Sequence, residues 1–231
     1  MTVPMLISVV VLLFMPIPAQ AKESLSKQIQ DLVKRVDAQY ARTKDFQADF
    51  VQETRIEGFD TALHSSGRVY IKKPGRLRWD FLEPSVEKIY VHGDQLEMYV
   101  PAHQQIIKGS LTRMVATKAP LLLLQGAGKL EEHFDVKPTG KGKTGAGGLP
   151  LLTLIPKQQE GQRSASPISR IVTEIQPKTY FIQTVQLHEV SGNVSIYQFK
   201  HFKANTGLDD KLFILVPPEG VVVVDDVLPP Q

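Results

Sequence analysis

The stretch from Gly67 to Pro84, GRVYIKKPGRLRWDFLEP, predicts a β-hairpin. Polar and apolar residues alternate on both sides of Pro74-Gly75, which suits a turn because proline presets one φ and glycine permits a positive one. One face of the hairpin is apolar and consists of Val69, Ile71, Leu77, Trp79 and Phe81. The other face is unusually basic, with Arg68, Lys72, Lys73, Arg76 and Arg78 around the turn. This pattern predicts an apolar face packed on a core and a basic face in solvent.

An amphipathic helix is predicted ahead of the hairpin, over residues 23–42. Apolar residues recur there at spacings of three and four, and Ser24 is a suitable N-cap. The apolar stripe consists of Leu25, Ile29, Leu32, Val33, Val36 and Tyr40. Such a stripe predicts a helix that packs one face on the core of the protein.

From residue 45 the hydrophobic period changes to two, which predicts short strands separated by turns. Besides the hairpin, the predicted strands cover residues 45–52, 88–92, 95–100, 104–108, 168–175, 181–189, 194–203, 212–216 and 221–224. Residues 138–149 and 155–166 have the composition of loops. Regular alternation with frequent turn residues predicts an antiparallel sandwich or barrel.

Residues 110–128 interrupt the β pattern and predict two short helices. Ser110 would cap the first helix, and Pro120 suits the first turn of the second. The second helix contains four consecutive leucines, Leu121, Leu122, Leu123 and Leu124, which cannot all share one helix face. The helix is therefore either buried on both sides or a lid with one face on the sheet and another lining a cavity.

The N-terminus predicts a secretory signal peptide over residues 1–21, cut after Ala21, followed by a single domain over residues 22–231. The apolar run of residues 5–15 is shorter than the roughly 20 residues of a membrane-spanning helix. Residues 1–21 contain no lysine or arginine, which leaves an uncleaved anchor as the alternative. The chain has no cysteine, so neither a disulfide nor a lipid-bearing cysteine is available. A soluble periplasmic protein is expected.

The residue pattern predicts no enzyme, no cofactor and no metal site. Residues 142–144 resemble the end of a phosphate-binding loop, but position 137 is lysine where that motif needs glycine. The acidic cluster of residues 131–135 is interpreted as surface polarity rather than as metal ligands. Basic residues outside the hairpin are interleaved with acidic ones, and the net charge is only +3, so nucleic acid is not an expected partner.

Four motifs resemble the periplasmic lipoprotein carrier family, the LolA-like proteins. The hairpin carries the family's G-x-V-x-I-x-K-P-x-x-L-x-W signature, and residues 46–52 match its F-x-A-x-F-x-Q strand. Residues 93–101 resemble its D-G-x-x-L-W-x-Y-x-P stretch, with Gly93 and Asp94 exchanged and Glu97 where tryptophan is common. Asn205, Leu208, Phe213 and residues 217–221 match its closing N-x-x-L…F-x-x-x-P-x-G-V pattern. The motifs keep the family's order and span nearly all of the chain after residue 21.

The resemblance implies a mainly β (α+β) fold, an incomplete antiparallel β-barrel of about 11 strands with a helical lid enclosing an apolar cavity. The helix over residues 23–42 would close one end of this barrel and form part of the lid. The implied function is that of a periplasmic chaperone, which is not an enzyme. It would bind the acyl chains of lipoproteins released from the inner membrane and deliver them to an outer-membrane receptor.

The expected partners are lipoproteins, an inner-membrane lipoprotein-releasing ABC transporter and an outer-membrane lipoprotein receptor, with the carrier acting as a monomer. Two alternatives are retained. One is a LolA-like carrier of another amphiphile, a glycolipid or a lipidated pigment. The other is a lipid-sensing envelope binding module.

The resemblance also implies the site. The expected lining of the lipid-binding cavity is Phe50, Val69, Ile71, Leu77, Trp79, Phe81, Leu96, Met98, Met114, Leu121, Leu122, Leu123 and Leu124. Lys73 is the expected lid latch, at a position where many members carry an arginine that hydrogen-bonds the lid shut. Lysine lacks the planar fork of arginine, so this latch is weaker or differently built. Leu77 stands where an aromatic residue that helps meet the transporter is frequent.

Overall fold

The computed structural model describes residues 19–110, 123, 130–140, 143–157 and 167–225. The predicted helices of residues 110–128 lie outside this part of the chain except for Ser110 and Leu123, and most of the predicted signal peptide lies outside it too. Within these ranges, helix α1 covers Ala19–Arg42 and helix α2 covers Leu130–His133. None of the helices in the described ranges is both long and apolar enough to cross a membrane.

In the described part of the chain, twelve strands form one sheet. They are β1 (Asp45–Arg55), β2 (Leu63–Lys72), β3 (Arg76–Glu83), β4 (Glu87–His92), β5 (Gln95–Val100), β6 (Gln105–Ser110), β7 (Phe134–Pro138), β8 (Leu152–Pro156), β9 (Ile168–Ile175), β10 (Ile182–Glu189), β11 (Val194–Ala204) and β12 (Val222–Asp225). Short 3₁₀ helices cover Pro101–His103, Ala146–Gly148 and Asp210–Phe213. The strand order is β12-β6-β5-β4-β3-β2-β1-β11-β10-β9-β8-β7.

The sheet is open, because β12 and β7 are its two edges and do not pair with each other. Neighbouring strands are antiparallel except for β12, which runs parallel to β6. The predicted incomplete antiparallel barrel is therefore confirmed as a mainly β open sheet, with twelve strands rather than about 11.

The predicted hairpin of residues 67–84 is formed by β2 and β3. Val69 lies opposite Trp79 and Ile71 opposite Leu77, so the apolar residues share one face, as the alternation predicts. Gly75 closes the turn with a φ of 61°, which glycine adopts without strain. The register shifts next to Gly67, where a Cβ would lie 1.9 Å from the carbonyl oxygen of Asp80. Glycine is therefore required at this irregularity of the sheet.

The sheet curves around α1. Side chains from β1–β5 and β7–β11 share one buried apolar cluster with α1. Flat, twelve strands would be about 50 Å wide, whereas a helix is about 10–12 Å across. These strands reach one helix only if the sheet bends toward it, and we call the face that does so the concave face. The opposite side of the sheet is the outer face.

The end of the chain crosses the outer face. After β11, residues 205–225, which we call the C-terminal segment, run from the start of β1 to the far edge of the sheet. The carboxylate of Asp45 is buried at the start of this path and accepts bonds from the backbone N–H groups of Thr206 (2.9 Å) and Gly207 (3.1 Å). The segment ends in β12, which pairs with β6.

Four sequence expectations change. Residues 155–156, expected in the loop of residues 155–166, are the last residues of β8. The strand expected over residues 212–216 is wrong, because a 3₁₀ helix occupies Asp210–Phe213 and no strand follows before Val222. The carboxylate of Asp209 caps that helix by accepting from the Lys211 N–H at 2.9 Å. The basic hairpin face, expected in solvent, is partly covered by the C-terminal segment. Finally, α1 begins at Ala19, four residues before the expected start at residue 23.

Candidate functional site

The concave face brings together the described residues expected to line a cavity. Seven of them are buried within one apolar cluster, namely Phe50, Val69, Ile71, Leu77, Trp79, Leu96 and Leu123. Phe81 and Met98 are partly buried against that cluster. Met114, Leu121, Leu122 and Leu124 lie outside the described residues. The alternation of polar and apolar residues places the strand side chains among them on one face, and the curvature of the sheet brings them around one centre.

Aromatic rings concentrate at the middle of this face. The ring centroid of Trp79 lies 4.9 Å from that of Phe50, 5.8 Å from Tyr197 and 6.1 Å from Phe199. The cavity expected from sequence omitted Tyr197 and Phe199, which β11 contributes. The alternation of residues 195, 197 and 199 within a predicted strand was the signal that could have found them.

A second aromatic group lies under the C-terminal end of α1. The Tyr40 ring is edge-on to Phe181 at 5.5 Å and to Phe46 at 6.2 Å. Phe202 stacks on Phe181 at 5.1 Å. These contacts fix the end of the helix over β1, β10 and β11.

Helix α1 covers the concave face. The buried residues of its stripe are Ile29, Leu32, Val33, Val36 and Tyr40, which confirms the predicted packing for that part of the stripe. Leu123 is also buried in the same cluster, with 3% of its surface exposed. Within the described residues, the side chains that cover the concave face come from α1 and from the helical residue Leu123.

Lys73 joins the hairpin turn to the end of α1. Its Nζ donates a hydrogen bond to the backbone oxygen of Tyr40, a carbonyl in the last turn of the helix. A cation is favoured there because the last carbonyls of a helix lack partners and carry partial negative charge. Burial lowers the pKa of Lys73. The expected latch thus has a described partner in α1, and residues 111–122 lie outside the described part of the chain.

The outer face binds the C-terminal segment through the basic residues of the hairpin. Asp210 lies 2.6 Å from Lys72 Nζ and 2.5 Å from Arg76, and their hydrogen bonds lower the pKa of its carboxyl. Arg78 Nη1 donates to the Leu212 carbonyl at 3.2 Å. Phe213 is buried against this face. The basic hairpin face is therefore an attachment surface for the end of the chain.

Arg78 is held between two rings. Its guanidinium carbon lies 5.6 Å from the centre of the Tyr70 ring and 5.3 Å from that of Tyr90. The buried carboxylate of Asp80 accepts from it at 2.8 Å. The planar guanidinium makes ring contacts and carboxylate bonds together, which lysine could not do.

Two cavities lie on the outer face. One, of about 400 Å³, is between residues 213–215 of the C-terminal segment and strands β4–β6. The other, of about 320 Å³, is polar and is lined by Asp49, Arg68 and His201 among others. On the concave face the expected lining residues pack against each other and against α1.

An open antiparallel sheet bent around a helix, with a continuous apolar concave face, defines a class of β half-barrel proteins. Residues 41–215 match the family model described as outer membrane lipoprotein carrier protein LolA. The match covers most of the chain, and this protein therefore belongs to the LolA family. That family consists of carriers rather than enzymes.

Similar proteins agree with this assignment. The outer-membrane lipoprotein carrier protein of Methylococcus capsulatus is 28% identical over 186 residues, which cover 80% of this chain and 83% of that protein. The carrier protein of Chromobacterium violaceum is 27% identical over 221 residues, 96% of each chain. An uncharacterized conserved protein from Thermus thermophilus shares the fold, with a TM-score of 0.53 at 15% identity, over 85% of this chain and 98% of that one.

Proposed function

We propose that this protein is a periplasmic chaperone that binds the acyl chains of lipoproteins and delivers them toward the outer membrane. The observation that carries the proposal is the continuous apolar concave face with a separate helical cover, in a chain that belongs to the LolA family. In this proposal the concave residues are the lipid-binding residues, and Met114, Leu121, Leu122 and Leu124 complete the lining.

The energetics of an acyl chain explain the need for such a face. Each methylene removed from water is worth about 0.8 kcal/mol, so a free lipoprotein would aggregate or return to a membrane. A carrier must offer comparable apolar surface and yet keep that surface covered when it is empty, because exposed apolar patches promote association. The concave face supplies the surface, and α1 with Leu123 supplies the cover.

Lys73 is the proposed latch of this cover. Its bond to the Tyr40 carbonyl ties the hairpin turn to α1, so displacement of the helix end would break it. Loading would exchange the packing of the cover for packing of the acyl chain, and release would restore the bond. No covalent step is involved, and the direction of transfer would follow from differences in affinity between successive partners.

The proposed partners are an inner-membrane ABC transporter that releases lipoproteins and an outer-membrane receptor that accepts them. The carrier would act as a monomer, because one concave face holds one set of chains. Export would use residues 1–21 as a signal peptide removed after Ala21. The 27–28% identity to named carriers from two bacteria supports this assignment.

Native mass spectrometry tests the proposal. Residues 22–231 would be mixed with a purified lipoprotein, with the same polypeptide lacking its acyl chains, and with a membrane glycolipid. We expect a one-to-one complex with the acylated lipoprotein and none with the unacylated polypeptide. A complex with the glycolipid alone would assign the protein to the carriers of other amphiphiles, and binding of the unacylated polypeptide would contradict an acyl-chain carrier.

A further inference from the structure

Three buried polar atoms on the concave face have no hydrogen-bond partner within the described part of the chain. One is Thr173 Oγ1 on β9. The other two are Trp79 Nε1, which carries a hydrogen, and Gln52 Oε1, which can accept one. Trp79 is only 4% exposed. Folded proteins pair nearly all such atoms, because a buried donor or acceptor left unpaired loses its hydration without compensation. A phenylalanine at 79 and an apolar residue at 52 would avoid that cost.

The backbone brings these two residues to one place. Trp79 lies on β3, yet its ring reaches Tyr197 on β11, three strands away in the sheet. Tyr197 is the cross-strand partner of Gln52 on β1. Trp79 and Gln52 are therefore both neighbours of the Tyr197 ring on the concave face.

The side chain of Gln52 is held in place by a hydrogen bond from its amide nitrogen. Its Nε2 donates to Thr54 Oγ1 at 2.9 Å, and Thr54 contacts Ser195 at 3.3 Å. Gln52 and Thr54 follow Phe50 at alternate positions of β1, and Ser195 is the partner of Thr54 on β11. The concave face is thus apolar along most of its length and becomes polar toward this end of β1, where one donor and one acceptor remain unpaired.

We propose that Trp79 Nε1–H and Gln52 Oε1 form a polar subsite that binds the carbonyl linkage of an acyl chain. The indole N–H donates to the carbonyl oxygen of an ester or an amide, and Gln52 Oε1 accepts from the N–H of a secondary amide. The apolar residues beside them take the hydrocarbon. This subsite rests on the proposed function, and it specifies the ligand as an ester- or amide-linked acyl chain rather than a plain hydrocarbon.

Three uncharged compounds of matched chain length separate the two contributions. Methyl dodecanoate presents a carbonyl, N-methyldodecanamide presents a carbonyl and an N–H, and tetradecane presents neither. Each would displace a pyrene-labelled alkane from residues 22–231 of the wild type, Trp79→Phe and Gln52→Met. Thermal unfolding would verify that each variant is folded.

We expect Trp79→Phe to weaken binding of the ester and of the amide by about two- to tenfold, the range of one net hydrogen bond. Binding of tetradecane should not change. Gln52→Met, which keeps the side-chain volume, should weaken binding of the amide by a similar factor and leave binding of the ester unchanged. Equal effects on all three compounds would overturn the subsite while leaving the carrier function intact. Failure of the wild type to bind any of them would overturn the proposed function and the subsite with it.

A second measurement needs no variant. The chain has one tryptophan, so a ¹⁵N-labelled sample gives one indole N–H resonance. Saturation with the ester or the amide should move this proton downfield, as a new hydrogen bond does, and tetradecane should not. The same downfield shift of the indole proton with all three compounds would contradict a hydrogen bond to the carbonyl.

Discussion

Lys73 is placed where one side chain joins the hairpin turn to the helix that covers the concave face. A lysine makes this contact as a point donor, whereas an arginine would present several donors in a fixed plane. The single bond to the Tyr40 carbonyl is therefore easily broken when the helix end moves. A latch of this kind suits a carrier that must both close when empty and open to its cargo.

Replacing Lys73 with leucine should slow the hand-over of cargo without unfolding the protein. A hydrogen bond from a charged group is worth about 1.5–3 kcal/mol when buried, and roughly 1 kcal/mol is realistic for this half-exposed lysine. Loss of the bond should thus favour the open, loaded state by about fivefold. The measurement is the rate of lipoprotein transfer to the receptor, together with thermal unfolding.

Lys200→Leu is the matched control, because Lys200 is an exposed lysine on β11. It should leave transfer unchanged. If Lys73→Leu folds and transfers cargo at the wild-type rate, Lys73 is not a latch.

Tyr197 gives the protein a pH dependence in the alkaline range. Burial raises the pKa of Tyr197 to about 12, from 10 in an unfolded chain. The neutral ring is thus favoured by folding, so this contribution is complete below pH 10 and is lost as the pH rises toward 12. The slope is at most about 1.4 kcal/mol per pH unit.

Urea unfolding of the wild type and Tyr197→Phe at about pH 8 and about pH 11 measures this contribution. The wild type should lose more stability than the variant between the two values. Parallel losses would contradict the burial of the Tyr197 hydroxyl.

At the scale of elements, α1 and the β2–β3 hairpin could be predicted from sequence. Their apolar periods match a helix and a strand over many residues, and Pro74-Gly75 marks the turn without ambiguity. The C-terminal segment could not be predicted in the same way. Leu212, Ile214 and Val216 resemble a strand face, but Asp209 is an equally good cap for a 3₁₀ turn, and the hairpin's basic face offers ion pairs to Asp210.

The attachment of this segment depends on Phe213. Phe213 is 7% exposed, whereas its neighbour Ile214 is 59% exposed. Phe213→Ala should therefore release the segment locally and raise amide exchange in residues 208–225 and in β6, its partner in the sheet. Strands β8–β10, far from the segment in the strand order, should keep their protection.

Ile214→Ala removes an exposed side chain of similar apolar character and should change exchange very little. Hydrogen exchange followed by mass spectrometry distinguishes the two variants. Equal effects of the two substitutions would show that burial of Phe213 does not hold the segment.

At the scale of the whole molecule, the curvature of the sheet brings the apolar side chains of ten strands around α1. Alternation predicts which side chains share a face, but it does not state the strand order or where the sheet bends. The pairing of β1 with β11 and of β12 with β6 joins residues far apart in the chain, and neither pairing follows from a local pattern. The family resemblance implied an incomplete barrel, whereas the sequence's own periodicity left a sandwich and a barrel open, and neither gave the strand order.

Sequence alternation also gave the faces but not the contacts of the concave-face residues. Val69, Leu77 and Trp79 could be assigned to one face from the hairpin alone, whereas the contact of Tyr197 with Trp79 requires the order of β3, β2, β1 and β11. The partner of Lys73 likewise depends on where the end of α1 lies. Residue types and faces were therefore predictable, and contacts between distant elements were not.

Photo-crosslinking with an acylated lipoprotein tests directly whether acyl chains bind the concave face. A lipoprotein whose acyl chains carry a diazirine would be bound to residues 22–231 and irradiated, and the modified residues would be identified by mass spectrometry. We expect adducts on the concave face, at Val69, Leu77 and Trp79 and at the buried side of α1. Adducts confined to the outer face, such as the cavity between residues 213–215 and β4–β6, would contradict it.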